Sequence, residues 1–112
     1  MSLLLLDDEE IFSDLLKILC KEIDVKFYSA RNTKEAIKIV NNNKIELVII
    51  DYNLKNEKGS IFNRYLKRYF HDIKTALSSG SFDNISEKVS NRFDYILDKG
   101  SLVAFVREFF GA

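Results

Sequence analysis

Five side chains in this chain of 112 residues have the types and the spacing to do chemistry together. Asp7 and Asp8 close the apolar run Leu3-Leu4-Leu5-Leu6, and Asp51 closes a second run, Leu47-Val48-Ile49-Ile50. Ser79 and Lys99 follow two further apolar stretches. A carboxylate that ends a buried strand of an open α/β sheet stands at the edge where such sheets bind ligands. One Asp in that place is more often a turn or capping residue, so the weight falls on the set. Two carboxylates about 5 Å apart repel by roughly 3 kcal/mol at an effective dielectric near 20, so a cluster of them raises a pKa or holds a cation. Oxygen-only ligands with open positions suit Mg²⁺. Adding a hydroxyl and a fixed positive charge completes the parts that phosphoryl transfer needs: an oxygen nucleophile, a metal, and donors to neutralise developing charge.

These residues can meet only if the elements between them bring them together. The run ending at Asp51 has no clean polar alternation, which suits a parallel strand covered on both faces. Ile11, Phe12, Leu15, Leu16, Ile18 and Leu19 recur at helical spacing and predict a helix over Glu10 to Lys21, with acids at its positive end. Val25 to Tyr28 alternates as a second strand. Asn32 or Thr33 then caps a helix carrying Ala36, Ile37 and Val40, which Asn41-Asn42-Asn43 closes. Beyond Gly59, a stripe of Ile61, Phe62, Tyr65, Leu66, Tyr69 and Phe70 predicts a third helix. Ile73 to Ser78 reads as a fourth strand, and Phe82, Ile85 and Val89 give a thin stripe on a fourth helix. Tyr95-Ile96-Leu97 is a short fifth strand. Leu102, Phe105, Val106 and Phe109 mark a closing helix with Ser101 as its cap. Strand and helix alternate five times, which implies a doubly wound parallel sheet with right-handed crossovers and a single domain over residues 1–112.

Composition narrows the partners. Seventeen basic residues balance seventeen acidic ones, so no global field draws the chain to nucleic acid or anionic lipid. Cys20, the sole cysteine, lies in an apolar-periodic segment and is expected to pack rather than react. His71, the sole histidine, falls at a helix end and is no candidate for phosphotransfer. Leu3 to Leu6 is too short for a signal peptide or a membrane span, and the expectation is a cytoplasmic protein.

Taken together, Asp7-Asp8, Asp51 with Gly59 eight places on, Ser79-Gly80 and Lys99 resemble the motif set of response regulator receiver domains, and the resemblance covers essentially the whole chain. It implies a flavodoxin-like sheet in the order 2-1-3-4-5 with five helices, an order for which the chemotaxis member of this family is the standard example. It further implies that Asp51 accepts a phosphoryl group from a histidine kinase or a histidine phosphotransfer protein. Asp8 and Asp51 would ligate Mg²⁺ with the backbone carbonyl of Asn53, and Asp7 would act mainly through metal-bound water. Lys99 would pair with a phosphoryl oxygen and Ser79 would move to hydrogen-bond it. A downstream protein would be met by the fourth helix, fifth strand and fifth helix.

The chain departs from the family pattern in three places. Lys55 and Gly100 stand where prolines are frequent, and Ile96 stands where an aromatic switch residue is usual, with Tyr95 one place earlier. These departures keep open a second reading, a degenerate receiver that only binds protein. An aspartyl phosphatase of the haloacid dehalogenase type fits less well, because Asp51-Tyr52-Asn53 lacks its second aspartate. A flavin-binding protein would need a phosphate-cradling glycine loop, which is missing.

Overall fold

The computed structural model describes residues 1–54, 59–80 and 85–111. The elements run β1 (Ser2–Leu6), α1 (Glu10–Glu22), β2 (Lys26–Ala30), α2 (Thr33–Asn42), β3 (Leu47–Asp51), α3 (Gly59–Tyr69), β4 (Lys74–Ser79), α4 (Glu87–Ser90), β5 (Tyr95–Asp98) and α5 (Leu102–Phe109), with a 3-10 turn at Lys99–Ser101 leading into α5. All pairings are parallel and the strand order is β2-β1-β3-β4-β5, as expected from the sequence.

The unbroken apolar runs are explained by two cores, one on each face. Successive side chains of a strand point to opposite faces. Leu4, Leu6, Val48 and Ile50 therefore pack with Ala36, Val40, Phe62 and Leu66 of α2 and α3. Leu3, Leu5, Leu47 and Ile49 pack with Leu16, Leu19, Leu102 and Val106 of α1 and α5. Cys20 is fully buried in the second core, and burial pushes its thiol pKa up to about 11, so it behaves as a small apolar residue.

The ends of α2 follow from its sequence, whereas the cap expected at α5 does not form. Asn32 Oδ1 accepts from Glu35 N at 2.9 Å, and Glu35 Oε1 reaches back to Arg31 N at 3.3 Å, so Asn32 rather than Thr33 is the cap of α2. At the other end Asn41, Asn42 and Asn43 each donate from Nδ2 to the carbonyl four residues back, at 2.9, 2.7 and 3.1 Å. Of these acceptors only the Ile39 carbonyl is among the last four of α2, which a helix end leaves short of partners. Ser101 stands at the cap position of α5 but makes no side-chain cap bond, because the 3-10 turn leads directly into the helix.

Several expectations shift. Strands two and four lie one residue later than predicted at their starts, and α1 runs one residue further, to Glu22. Ile11, Leu15 and Ile18 of α1 and Ile61 and Tyr69 of α3 are exposed although they share helical spacing with buried neighbours. The fourth helix is a single turn with no buried residue. Of its expected stripe, Ile85 and Val89 are partly buried against the first core and Phe82 lies outside the described residues, as does Lys55. His71 follows α3 by two residues and is exposed. No cis peptide bond occurs among the described residues, so Lys99-Gly100 is trans. No described helix is long and apolar enough to cross a membrane.

Candidate functional site

The order β2-β1-β3 sets the ends of β1 and β3 side by side. Leu6 of β1 is level with Ile50 of β3, so the residues that follow each of them emerge together. Asp7 is 3% exposed; its N–H donates to Ala30 O at 3.0 Å, and its Oδ1 accepts from Glu9 N at 2.9 Å. Asp51 is 2% exposed, and its Oδ1 accepts from Asn53 N at 3.1 Å. Tyr52 N donates to Ser78 O at 3.0 Å, which ties the exit of β3 to β4. One carboxylate oxygen from each of Asp7, Asp8 and Asp51 lies within 4.8 Å of the other two.

Lys99 arrives from the other side of the sheet. Being the first residue after β5, it reaches back across β4, and its Nζ lies 3.2 Å from Asp7 Oδ2 and 3.4 Å from Asp51 Oδ2. Two residues that the sequence reading passed over also hold it. Glu9 Oε2 lies 3.6 Å from the same nitrogen, and the Phe12 ring centroid lies 4.7 Å away. Glu9 had been one acid in a run of four, and Phe12 one apolar residue in a helical stripe. The sequence signal for them is their place at the N-terminal end of α1, directly after the Asp7-Asp8 pair. The resulting cleft has a volume of about 440 Å³ and is lined by Glu9, Phe12, Asp51, Asn53, Gly80 and Lys99.

Ser79 ends β4 fully buried, level with Asp98 in β5, and Gly80 just after it lines the cleft. Gly59, at the start of α3, lies so close to the end of β3 that a Cβ there would run into the Asp51 carbonyl oxygen and the Ile50 side chain. That close approach needs glycine.

Charge in the site is unbalanced. Burial and then the charge of Asp7 push the Asp51 pKa up to about 6, against the opposing pull of Asn53 N–H and Lys99. Burial also raises Asp7. Burial pulls Lys99 down, but Asp51, Asp7 and Glu9 outweigh it and its pKa is raised. Asp7 Oδ2 contacts Lys99 as an ion pair yet makes no well-formed hydrogen bond. An under-bonded, buried oxygen in an oxygen-only donor set beside two further carboxylates fits a hard divalent cation.

The sequence matches the response regulator receiver domain family over residues 3–100. The chain belongs to that family. Its acidic pocket of Asp7, Asp8 and Asp51 fits a receiver's phosphoacceptor site. The fold is similar to that of a CheY-like receiver domain from Methylobacillus flagellatus, with a TM-score of 0.85 at 18% identity over 99% of this chain and 96% of that one. It is also similar to the response regulator TrrA from Thermotoga maritima, solved in complex with Mg²⁺ and BeF, with a TM-score of 0.84 at 24% identity over 98% and 96% of the two chains. A response regulator from Burkholderia pseudomallei with a phosphorylated aspartic acid, a calcium ion and citrate aligns with a TM-score of 0.76 at 22% identity over 94% of this chain and 63% of that one. No curated protein sequence matches the chain significantly.

Proposed function

We propose that residues 1–112 form one receiver unit that accepts a phosphoryl group on Asp51 from a phosphohistidine of a kinase or phosphotransfer protein, and that the added charge changes its contacts with a downstream protein. The observation that carries this reading is the Asp51 carboxylate, buried at the end of a central strand, with two more carboxylates within 4.8 Å and an ammonium at 3.4 Å. The relatives solved with Mg²⁺ and BeF, or with a phosphorylated aspartic acid, support it by likeness.

In the transfer, an Asp51 carboxylate oxygen attacks phosphorus, the P–O bond forms as the P–N bond to imidazole breaks, and the leaving nitrogen is free to take a proton from water. Asp51 must be ionised to attack, and its pKa of about 6 leaves it mostly so at neutral pH. Asn53 N–H fixes the orientation of one carboxylate oxygen. Lys99 is poised to pair with a phosphoryl oxygen, and Ser79, at the neighbouring strand end, would move to donate to another. Asp8 and Asp51 with the Asn53 carbonyl, and Asp7 more remotely, would hold Mg²⁺, which when bound supplies positive charge to the phosphoryl oxygens.

The phosphoryl group carries about −1.5 to −2 charge in place of the single negative charge of the carboxylate, and Lys99 and Ser79 are the groups at the ends of β5 and β4 placed to answer it. The downstream surface is therefore assigned to α4, β5 and α5. Support comes from the single, unburied turn of α4 and from the exposed Tyr95 and Ile96 of β5. With Ile96 where an aromatic is usual, the Tyr95 ring, 5.0 Å from that of Phe105, is the aromatic available to respond. A cytoplasmic location follows from a kinase partner.

The test is intact mass after treatment with acetyl phosphate and Mg²⁺. Wild type is expected to gain one phosphate and Asp51→Asn none; equal labelling of both would sink the assignment. Mg²⁺ at millimolar concentration should also raise the melting temperature of wild type by mass action, and much less that of Asp8→Ala. A wild type indifferent to both donor and metal would instead be a receiver used only for binding protein.

A further inference from the structure

The N-terminal end of α1 commits two positions to Lys99, its N-cap and one in its first turn. Glu9 stands at the N-cap with extended backbone angles, φ −94° and ψ 121°, where Ser, Thr, Asp or Asn would ordinarily accept a helix N–H. Its side chain makes no such bond and pairs with Lys99 at 3.6 Å. Phe12, three residues on, sets its ring within cation–π distance of the same ammonium and lines the Asp51 cleft.

An ammonium has three N–H donors. Here it already faces three carboxylates, of Asp7, Asp51 and Glu9. Phosphorylation turns that of Asp51 into a neutral acyl group but sets a phosphoryl group of about −1.5 to −2 charge against the same ammonium. The surroundings of Lys99 thereby become more negative, and one of the two remaining carboxylates gives way. The Asp7 side chain is wholly buried and the Asp51 side chain nearly so, whereas that of Glu9 is 58% exposed. Glu9 alone can swing into water at little cost, since a solvated ion pair contributes little. It also stands at the mouth of the cleft with the same sign of charge as an incoming phosphodonor.

Building on the phosphoacceptor reading above, we propose that Glu9 and Phe12 are positioning residues for Lys99. Glu9 is the displaceable counter-ion whose place the phosphoryl group takes, and Phe12 is the wall that keeps the ammonium over Asp51 during that exchange. The two together set how fast anionic donors load the site.

The experiment follows the rate of phosphate gain by intact mass with acetyl phosphate and Mg²⁺ at low and high ionic strength. Glu9→Gln should load about threefold to tenfold faster than wild type at low salt, and the gain should shrink at high salt as the like charge is screened. Phe12→Leu, which keeps apolar bulk and loses the aromatic face, should load about twofold to fivefold more slowly, and Phe12→Tyr should restore the wild-type rate. A Glu9→Gln rate equal to wild type, a gain indifferent to salt, or equal rates for Phe12→Leu and Phe12→Tyr would each overturn the proposal. Wild type that takes no phosphate from acetyl phosphate would count against the acceptor reading instead. Positioning is then read without phosphate, from the upfield ring-current shift of the Lys99 ε-protons by NMR. That shift is expected in wild type and lost in Phe12→Leu; its absence from wild type would overturn the positioning role.

Discussion

β3 and β5 deliver the two groups that face each other across the site, yet they are held very differently. Every residue of β3, Leu47 to Asp51, is buried between strands on both sides and helices on both faces. β5 is an edge strand paired only with β4; Tyr95, Ile96 and Asp98 are exposed, and the helix before it is one turn. The carboxylate therefore stands on a fully buried strand and its counter-charge on one of the least buried. Local stability tracks buried apolar contact, so a change of charge at Asp51 will be absorbed on the Lys99 side. Besides Phe93 in the first core and Leu97 against the second, one anchor there is polar: Asp94, just before β5, accepts from Thr75 N at 2.8 Å and from Lys67 Nζ at 3.0 Å.

The contrast can be broken most directly in the centre. Ile49→Ala removes a fully buried side chain and is expected to destabilise by about 2–5 kcal/mol in urea unfolding. A loss no larger than that of an edge substitution would undo the distinction between the strands. Next in size, Gly59→Ala pushes a methyl group into the end of β3 and should cost about 1–3 kcal/mol, with phosphorylation of Asp51 slowed as well. Unchanged stability would mean that α3 can retreat without disturbing the carboxylate.

Asp51→Asn sharpens the comparison with the opposite sign. The folded-state pKa of Asp51 is raised from 3.8 to about 6, so the folded protein holds this proton more tightly than the unfolded chain. Its contribution to folding is favourable at acid pH and is lost as pH rises from about 4 through about 6. In metal-free buffer at pH 7, Asp51→Asn should thus gain about 1–3 kcal/mol, the loss of a partner for Lys99 offsetting part of the relief. Chemical denaturation of both proteins at pH 5 and pH 7 checks this, and a gain that does not grow with pH would contradict the charge argument. The smallest effect is expected at the edge, where Ile96→Ser, at a side chain 42% exposed, should change stability by under about 1 kcal/mol. Its consequence should show in contacts with a downstream protein, measured by binding before and after phosphorylation.

Read by itself, the sequence determined how many strands there are and how they alternate with helices along the chain, because the period of apolar residues is a local property; the order of the strands in the sheet came from the family resemblance. The sequence also placed Asp7, Asp8 and Asp51 at strand ends, since each closes an apolar run. It could not say how far each apolar stripe would be covered. Ile11, Ile18 and Ile61 have the same spacing as their buried neighbours, and only the packing of each helix on the sheet decides which of them stay in water. Nor could it show that Glu9 and Phe12 serve Lys99. Cap propensity and helical periodicity describe a residue's own helix, whereas these contacts join residues about ninety places apart and exist only because the parallel order sets the end of β5 within a lysine's reach of β1.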